Sequence, residues 1–229
     1  MRYAQKRWYS WSANIAYCVG LIASDGCLSK DERHIDLTSV DIEQLKNFCQ
    51  AFGKNIKIAS KMNKSVVPAY HVQFSDVAFY DFLIKAGLTP AKSHTLAEVY
   101  VPDEYYFDFL RGVFDGDGCI RGYMDTRWPN SLMFYIEIAS ASMVFLKFLQ
   151  ETNTRLANTT RGAINPCKGA TKLSYAKQDS IKLAQVMYYQ KNLPALTRKR
   201  IKLFDFIKVH EAAIIARNAR VAESVDAPR

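Results

Sequence analysis

The sequence predicts an α+β protein built from two related halves, each with the order α-β-β-α-β-β-α. Three observations support this fold class. The stretch YCVGLIASDGCL at Tyr17–Leu28 recurs 92 positions later as FLRGVFDGDGCI at Phe109–Ile120. Helical and strand periodicities alternate in the same order after each copy. The chain has 229 residues, 49% of them hydrophobic, which is enough for two halves that each build a core.

In the first half, apolar and small residues over 14–24 predict a buried helix that ends at Asp25 and Gly26. Polar and apolar residues alternate over His34–Thr38, which predicts a half-exposed strand. Asp41 opens an amphipathic helix that runs to Phe52. The half is completed by strands at Ile56–Lys61 and Tyr70–Ser75, and by a helix capped by Asp76 that ends at Gly87.

The second half repeats this order. Leu45-Lys46 parallels Leu146-Lys147 at an offset of 101, and we attribute the longer offset to an insertion in a hairpin loop at Thr126–Asn130. The expected strands are Cys119–Asp125, Leu132–Ala139, Leu156–Ile164 and Thr171–Ala176, and the expected helices are Ser142–Thr152 and Asp179–Gln190. We therefore expect halves at 1–98 and 99–208, followed by a tail at 209–229 with a short helix from about His210.

Composition narrows the class of protein. Lys and Arg outnumber Asp and Glu by 31 to 22, and the net charge of +9 favours a polyanionic partner such as nucleic acid. No apolar stretch approaches the ~20 residues of a membrane span and no signal peptide is visible, so we expect no membrane partner. We expect a soluble, intracellular protein of the bacterial cytoplasm or of an organelle. The five cysteines form no CxxC pair, which argues against a disulfide framework or zinc ribbon and predicts reduced, mostly buried thiols.

Small residues on the two repeated helices predict close helix packing. Gly20 and Ser24 are four residues apart, as are Gly112 and Gly116, so each pair lies on one face of its helix. Small side chains there let two helix backbones approach closely. The repeat makes this helix pair a pseudo-two-fold axis between the halves.

The same packing would bring Asp25 and Asp117 side by side at the ends of the two helices. Two neighbouring carboxylates repel unless a divalent cation lies between them, and hard oxygen ligands favour Mg²⁺. The alternative is that Asp and Gly merely end each helix, but recurrence in both halves disfavours it. A calcium loop starting at Asp115 is excluded, because Ile120 occupies the position that needs Gly and Thr126 the position that needs Glu.

The repeated stretches GLIASDG and GVFDGDG resemble the two signature motifs of the LAGLIDADG homing endonucleases, in the single-chain, two-motif form. The resemblance extends from about residue 14 to 207. It implies a monomer whose antiparallel sheets form a saddle over DNA. It also implies Mg²⁺-dependent hydrolysis of both strands of a long, asymmetric duplex target that leaves 3′ overhangs. Ca²⁺ would fill such a site without supporting cleavage.

The resemblance also implies roles for residues at the ends of the motifs. Asp25 and Asp117 match the metal-binding carboxylates of the family, and the carbonyls of Ser24 and Gly116 match its backbone ligands. The first motif departs from the pattern at Ala23, where an earlier acidic residue is common.

Two lysines complete the expected site. Lys92 in TPAKSHTL and Lys199 in LTRKRIKLF resemble the active-site lysines of the family, whose charge would stabilise the transition state or polarise water. Each has the alternative of being an ordinary surface lysine, and Arg198 is an alternative to Lys199.

The charge pattern supports duplex DNA as the partner. Residues 44–75 and 152–178 contain no acidic residue but five Lys or Arg each, so equivalent parts of the two halves carry positive charge. The alternative is an ordinary solvated face. We expect alternating strand residues to reach base edges and basic residues to contact phosphates. The candidates are Ser29, Lys30, Arg33, Asp36, Thr38, Lys57, Lys61, His71, Gln73, Arg121, Tyr123, Asp125, Tyr135, Glu137, Arg155, Arg161, Lys172, Ser174 and Lys177.

Two other functions remain open on the same sequence. The scaffold would also suit a maturase that binds intron RNA, or a DNA-binding regulator that does not cut. A basic protein that binds nucleic acid without specificity is disfavoured by the repeat. Retention of Asp25 and Asp117 favours the nuclease, because a pure binder has no need for two carboxylates beside a phosphate backbone.

Overall fold

The computed structural model describes residues 8–61, 68–124, 126, 132–160 and 162–225, with side chains as far as 218. The first half has the expected order of elements. These are α1 (Ala13–Asp25), β1 (Gly26–Leu28), β2 (His34–Ser39), α2 (Ile42–Phe52), β3 (Ile58–Lys61), β4 (Ala69–Ser75) and α3 (Val77–Lys85).

The second half follows after a short 3₁₀ helix at Asp103–Tyr105. Its elements are α4 (Tyr106–Asp117), β5 (Gly118–Met124), β6 (Leu132–Ser140), α5 (Met143–Ala157), β7 (Ala163–Cys167), β8 (Ala170–Tyr175), α6 (Lys177–Met187) and α7 (Thr197–Val225). The α+β class and the two α-β-β-α-β-β-α halves are therefore confirmed.

Each half contains one four-stranded antiparallel sheet, with the orders β1-β2-β4-β3 and β5-β6-β8-β7. One face of each sheet packs against the helices, through residues such as Ile35 and Leu37 in the first and Ile136 and Ile138 in the second. We call the other face the open face. Asp36 pairs with Cys27 and Gln73 across the first sheet, and Glu137 pairs with Cys119 and Ser174 across the second. Because side chains alternate along a strand, these six share the open faces.

The two motif helices, α1 and α4, cross at Gly20 and Gly112. A Cβ atom on Gly20 would overlap the carbonyl oxygen of Phe109 and lie 2.9 Å from the backbone nitrogen of Val113. A Cβ atom on Gly112 would overlap the carbonyl oxygen of Tyr17. The two backbones touch, so only glycine fits at either crossing position.

Two element boundaries differ from the sequence prediction. The strand expected at Leu156–Ile164 is instead β7 at Ala163–Cys167, because α5 continues to Ala157 and ends at Asn158 in the left-handed conformation. The helix begins where Ser142 accepts a hydrogen bond from the backbone of Phe145, and it buries Thr152 and Asn153 in its last turns.

The C-terminal helix also differs from expectation. It does not start at His210: α7 is one helix of 29 residues from Thr197, because no glycine or proline interrupts it. The boundary expected after residue 208 falls inside this helix. The insertion expected at Thr126–Asn130 lies outside the described residues, apart from Thr126.

The thiols were expected to be mostly buried, and for two of them this is wrong. Cys27 and Cys119 are exposed on the open faces, immediately after the glycine that ends each motif helix, and Cys18 is buried. All five cysteines are free. No helix in the described part of the chain has both the length and the apolar character needed to cross a bilayer.

Candidate active site and nucleic-acid interface

Asp25 and Asp117 are the last residues of α1 and α4, and the helix packing places them at the same end of the pair. The backbone N–H groups of Gly26 and Gly118 bond to the carbonyls of Ile22 and Phe114, which ends both helices in the same way. Oδ2 of Asp25 lies 2.9 Å from the place that a Cβ atom of Gly116 would occupy. The carboxylate of the first half therefore reaches across to the helix of the second.

Both carboxylates are crowded by protein. Asp117 is partly exposed to solvent, but the surrounding protein atoms still desolvate its carboxyl group. The negative charge of Asp25 adds repulsion. Together the two effects raise the pKa of Asp117 to about 6. Desolvation likewise raises the pKa of Asp25. The positive charges of Lys199 and Lys92 counteract the shift at both carboxyls. The structure thus brings all four predicted catalytic side chains within electrostatic reach of one another.

Gln44 is a site residue that the sequence analysis missed. Its side-chain nitrogen Nε2 donates a hydrogen bond of 2.6 Å to Oδ2 of Asp25, and its Oε1 accepts one of 2.8 Å from the hydroxyl of Ser39. Gln44 is buried at the start of α2. It holds Asp25 in one orientation and is itself oriented by Ser39. The available signal was a polar residue on the apolar face of an amphipathic helix, four positions before the buried Phe48 and beside Leu45.

Lys199 is buried at the end of α4. Its ammonium donates hydrogen bonds to the carbonyl oxygens of Phe114 (2.7 Å), Asp115 (2.8 Å) and Gly116 (3.1 Å). These are carbonyls that have no partner within the helix, and a cation is favourable at this negative end of the helix dipole. Burial lowers the pKa of Lys199 to about 8.

Lys92 takes a similar position beside α1. Its ammonium donates to the carbonyl of Gly26, and burial lowers its pKa. Arg198, the alternative to Lys199, instead extends into solvent and pairs with Asp41, its Nε lying 2.8 Å from Oδ2. The geometry thus favours Lys199 over Arg198 as the cation of the second half.

Asp115 lies two residues before Asp117 but is buried between the halves. Its Oδ2 accepts hydrogen bonds from the hydroxyl of Tyr17 (2.8 Å) and from the backbone N–H of Leu196 (2.9 Å). Burial raises its pKa to about 6. Asp115 therefore connects α1 to the segment that begins α7, three residues before Lys199.

The donors at the motif ends fit a hard divalent cation. Two carboxylates and the backbone carbonyls of Ser24 and Gly116 offer oxygen ligands alone, which Mg²⁺ prefers. Desolvation and the charge of Asp25 raise the pKa of Asp117, and a cation between the two carboxylates would relieve the repulsion from Asp25. Among the described residues, no group of three or more His, Cys, Asp or Glu forms a metal-binding cluster, so the DNA phosphates and water would supply the remaining ligands.

The open face of the first sheet gathers five of the predicted DNA-binding residues around Asp36. The Oδ2 atom of Asp36 lies 2.7 Å from Nδ1 of His71, and its Oδ1 accepts from the hydroxyl of Thr38 at 2.7 Å. Lys61 donates to Thr38 at 2.9 Å, and Gln73 is exposed beside Asp36 in the register.

The open face of the second sheet also has a central carboxylate surrounded by polar side chains, but the residue types differ. Glu137 takes the place of Asp36 and accepts a hydrogen bond of 2.8 Å from Lys172 and a longer one of 3.4 Å from Ser174. Arg121 lies on the other side of Glu137, with Nε 3.3 Å from Oε1. Tyr123 and Tyr135 stack with ring centroids 6.1 Å apart.

The remaining candidates are placed elsewhere. Ser29, Lys30 and Arg33 lie in or beside the turn between β1 and β2, and Lys57 is exposed just before β3. Arg155 was expected near a strand, but it belongs to α5, which packs on the core face, and it forms an ion pair with Asp103. We leave Arg155 out of the interface for this reason.

Three further candidates differ from the rest. Lys177 is not a strand residue but the first residue of α6, and it is buried. Asp125 and Arg161 lie outside the described residues.

Comparison with known proteins gives a family-model match to part of the chain and a fold for most of it. Residues 104–196 match a protein-family model described as a LAGLIDADG-like domain. Comparison with curated protein sequences gives no match.

Solved structures resemble most of the chain. The homing endonuclease I-WcaI bound to its DNA recognition sequence superposes with a TM-score of 0.59 at 15% identity, covering 86% of this chain and 88% of its own. Full-length DUF199/WhiA from Thermatoga maritima gives 0.57 at 15% identity, covering 95% and 69%. A variant of I-DmoI, in complex with its target DNA in the presence of Mn, gives 0.51 at 16% identity, covering 80% and 96%. At these identities the likeness shows the fold.

Proposed function

The chain has the LAGLIDADG fold in its single-chain, two-motif form, and from this premise we propose that it is a site-specific endonuclease of double-stranded DNA. In this proposal a monomer hydrolyses one phosphodiester in each strand of a long, asymmetric target and leaves 3′ overhangs. Cleavage depends on Mg²⁺.

The observation that carries this proposal is the grouping of Asp25, Asp117, Lys92 and Lys199 at one end of the motif helix pair. Placing the two carboxylates close together costs electrostatic energy when no cation lies between them. The ammonium groups of Lys92 and Lys199 are close enough to lower the pKa of both carboxyl groups. A protein that only binds DNA gains nothing from two desolvated carboxylates facing a polyanion. The arrangement is costly for binding and useful for catalysis.

Mg²⁺ held by Asp25, Asp117 and the carbonyls of Ser24 and Gly116 would supply Lewis acidity toward the phosphate and its attacking water. Asp25 is oriented for this by Gln44. Lys199 and Lys92 hold the carbonyl ends of the motif helices and place positive charge where negative charge develops on the phosphate. We assign Asp25 and Asp117 to one strand each.

The open faces provide recognition in this proposal. Their polar residues read base edges in the major groove, and the basic residues around them neutralise phosphates. The two sheets present different groups at equivalent places: Asp36 pairs with His71 in the first sheet, and Glu137 pairs with Arg121 in the second. The target should therefore not be a palindrome.

A regulator that binds DNA without cutting it, or a maturase that binds intron RNA, is the second candidate. It is favoured by the similarity to DUF199/WhiA, which has an N-terminal LAGLIDADG domain. The full-length structure of that protein covers 95% of this chain.

The decisive experiment is selection of cleaved sites from a randomised duplex library in Mg²⁺. We expect one asymmetric site to be cut in both strands. Asp25→Asn and Asp117→Asn should each abolish double-strand cleavage and leave affinity for the selected site largely intact, because each removes a metal-binding charge rather than a base contact. Asp205→Asn, which removes an exposed carboxylate from α7, is the control and should cleave normally.

The same library separates the two candidates. Enrichment of bound but uncut duplex in Mg²⁺ would favour the non-cleaving regulator, and a single aspartate variant that still cuts both strands at the normal rate would overturn the assignment. Binding measured in Ca²⁺ to the selected site and to its two half-palindromes tests recognition. Equal affinity for all three and for random duplex would leave only a non-specific basic protein.

A further inference from the structure

We propose that Arg121 is a specificity-determining residue that reads a guanine in the half of the target bound by the second sheet. This inference rests on the proposed function and names one chemical group within it. Arg121 lies on β5 on the open face, and its side chain is 56% exposed. It is held from two sides by groups that fix the plane of the guanidinium.

The first of these groups is Glu137, on the adjacent strand β6. Nε of Arg121 lies 3.3 Å from Oε1 of Glu137, whose side chain is only 7% exposed. Glu137 is itself fixed by the ammonium of Lys172 at 2.8 Å. Because the carboxylate contacts the Nε atom, the two terminal Nη nitrogens stay available for another partner. Within the described part of the chain, no hydrogen bond engages them.

The second group is a pair of stacked tyrosines. The rings of Tyr123 and Tyr135 are nearly parallel, with 8° between their planes, and their hydroxyls are 3.4 Å apart. The guanidinium carbon of Arg121 lies 5.3 Å from the centroid of Tyr135 and 5.9 Å from that of Tyr123, within the range of cation–π attraction. The rings restrict the rotamers of Arg121, so less entropy is lost when the fork contacts a base.

A planar fork with two free donors matches guanine in particular. Guanine presents two acceptors, O6 and N7, at one edge of the major groove, and an arginine can bond to both at once. Adenine places a donor beside N7, and cytosine places a donor in the groove, so each would leave one Nη group unpaired. The geometry of Arg121 therefore selects a base type and does not simply add positive charge.

The first sheet has no counterpart to this arrangement in its described residues. The equivalent positions hold Ser29 in place of Arg121 and His34 in place of Tyr135. The central carboxylate there, Asp36, is engaged by His71, Thr38 and Lys61. The guanine preference should thus appear in one half of the target only.

The position of the guanine follows from the strand. Arg121 lies four residues after Asp117, the residue that immediately precedes β5, which corresponds to roughly 13 Å at about 3.3 Å per residue. Base pairs are spaced about 3.4 Å apart along a strand of DNA. We therefore expect the guanine about four base pairs from the phosphate that Asp117 addresses.

The test is a binding profile in Ca²⁺ with the full chain. Each base pair of the selected target is changed in turn to the other three, and affinity is measured for the wild type, Arg121→Ala, Arg121→Lys and the control Arg155→Ala. Arg155 is a good match, since its side chain is also 56% exposed and also pairs with an acid, but it lies on α5 away from the open face. Circular dichroism and thermal melting verify that the variants are folded.

We expect the wild type to prefer guanine about 10-fold or more at one position of the second half-site. Arg121→Ala should bring that preference to about 2-fold or less and leave the preferences elsewhere unchanged. Arg121→Lys should keep the salt dependence of binding but lose most of the discrimination, because an ammonium lacks the planar fork. Arg155→Ala should keep the whole profile.

Two results would overturn the inference while the proposed function stands. One is an Arg121→Ala profile identical to that of the wild type. The other is a uniform loss of affinity on all sequences with a shallower salt dependence, which would make Arg121 a phosphate contact. If the wild type shows no preferred target at all, it is the proposed function that fails.

Discussion

The side-chain nitrogen of Gln44 lies 2.6 Å from Oδ2 of Asp25, whereas the equivalent position in the second half holds the buried Phe145. The equivalence follows from the caps of the two helices: Asp41 begins α2 and Ser142 begins α5, three residues before Gln44 and Phe145. One carboxylate of the pair is therefore held by a buried amide, and the other has no such donor among the described residues. The two aspartates occupy equivalent positions but differ in the side chains that hold them.

This difference predicts that Gln44→Leu affects the two DNA strands unequally. Hydrogen bonds to charged groups contribute about 1.5–3 kcal/mol, so losing this one should slow the strand served by Asp25 by about 10-fold to 100-fold. The other strand should be cut at nearly the normal rate. Gel analysis of a doubly labelled target would then show accumulation of a nicked intermediate. Equal slowing of both strands would contradict a role for Gln44 at Asp25 alone.

The helix crossing leads to a second prediction, on stability. Gly112→Ala should destabilise the protein by about 2 kcal/mol or more, because the new methyl group meets the backbone of Tyr17 and Leu21, which cannot move aside. Gly116→Ala should cost less, since its nearest neighbours are the Oγ and Cβ atoms of Ser24. Urea unfolding provides both values.

A matched rescue tests this explanation. Ser24→Gly removes the side chain that Gly116→Ala would meet, so the double variant should recover most of the stability lost in Gly116→Ala. The same change should not rescue Gly112→Ala, whose clash is with backbone one turn away. Recovery in both cases, or in neither, would argue against direct contact at these positions.

The lysines should have a double effect. Lys199→Met retains the length of the side chain but removes three hydrogen bonds to carbonyls at the end of α4, so both cleavage and thermal stability should fall. If the charge also acts at the transition state, the cleavage rate should fall on the order of 10² or more at temperatures where the variant is fully folded. Lys92→Met should behave similarly with a smaller loss of stability, because Lys92 donates a hydrogen bond to one carbonyl, that of Gly26. Lys147→Met, on the surface of α5, is the control.

The fold could be predicted from the sequence because the repeat shows the same pattern of helices and strands twice. The segments around Gly20 and Gly112 each indicate a buried helix followed by a strand, and the agreement between them compensates for the ambiguity of each one alone. The placement of Asp25 and Asp117 at the ends of the two motif helices was predictable for the same reason. The limits of β7 were not, because residues 156–164 carry no clear alternation and the end of α5 depends on Asn158 adopting a left-handed conformation.

Other parts of the site could not be predicted because they depend on contacts distant in sequence. Gln44 is 19 residues from Asp25, and its counterpart Phe145 is apolar, so the repeat obscured its role. The stacking of Tyr123 on Tyr135 depends on the register of β5 and β6, and most aromatic residues here belong to the core, so no aromatic surface was expected. Residues whose roles differ between the halves are those that a repeat cannot reveal.

The crowding of the two motif aspartates predicts that the metal-free protein is stabilised by removing one of them. Desolvation and the charge of Asp25 raise the pKa of Asp117 to about 6, above its value in the unfolded chain. The folded state therefore binds the proton more tightly than the unfolded state. The resulting destabilisation is present above pH 6 and disappears as the pH falls below about 4.

In EDTA at pH 7.5, Asp117→Asn should raise the melting temperature by about 1–3 °C. Asp103→Asn is the control: Arg155 lowers the pKa of Asp103, so this change should not raise the melting temperature. Excess Mg²⁺ should stabilise the wild type more than Asp117→Asn, because the wild type retains both carboxylates. A melting temperature of Asp117→Asn in EDTA at or below that of the wild type would show that the two carboxylates do not strain the empty site.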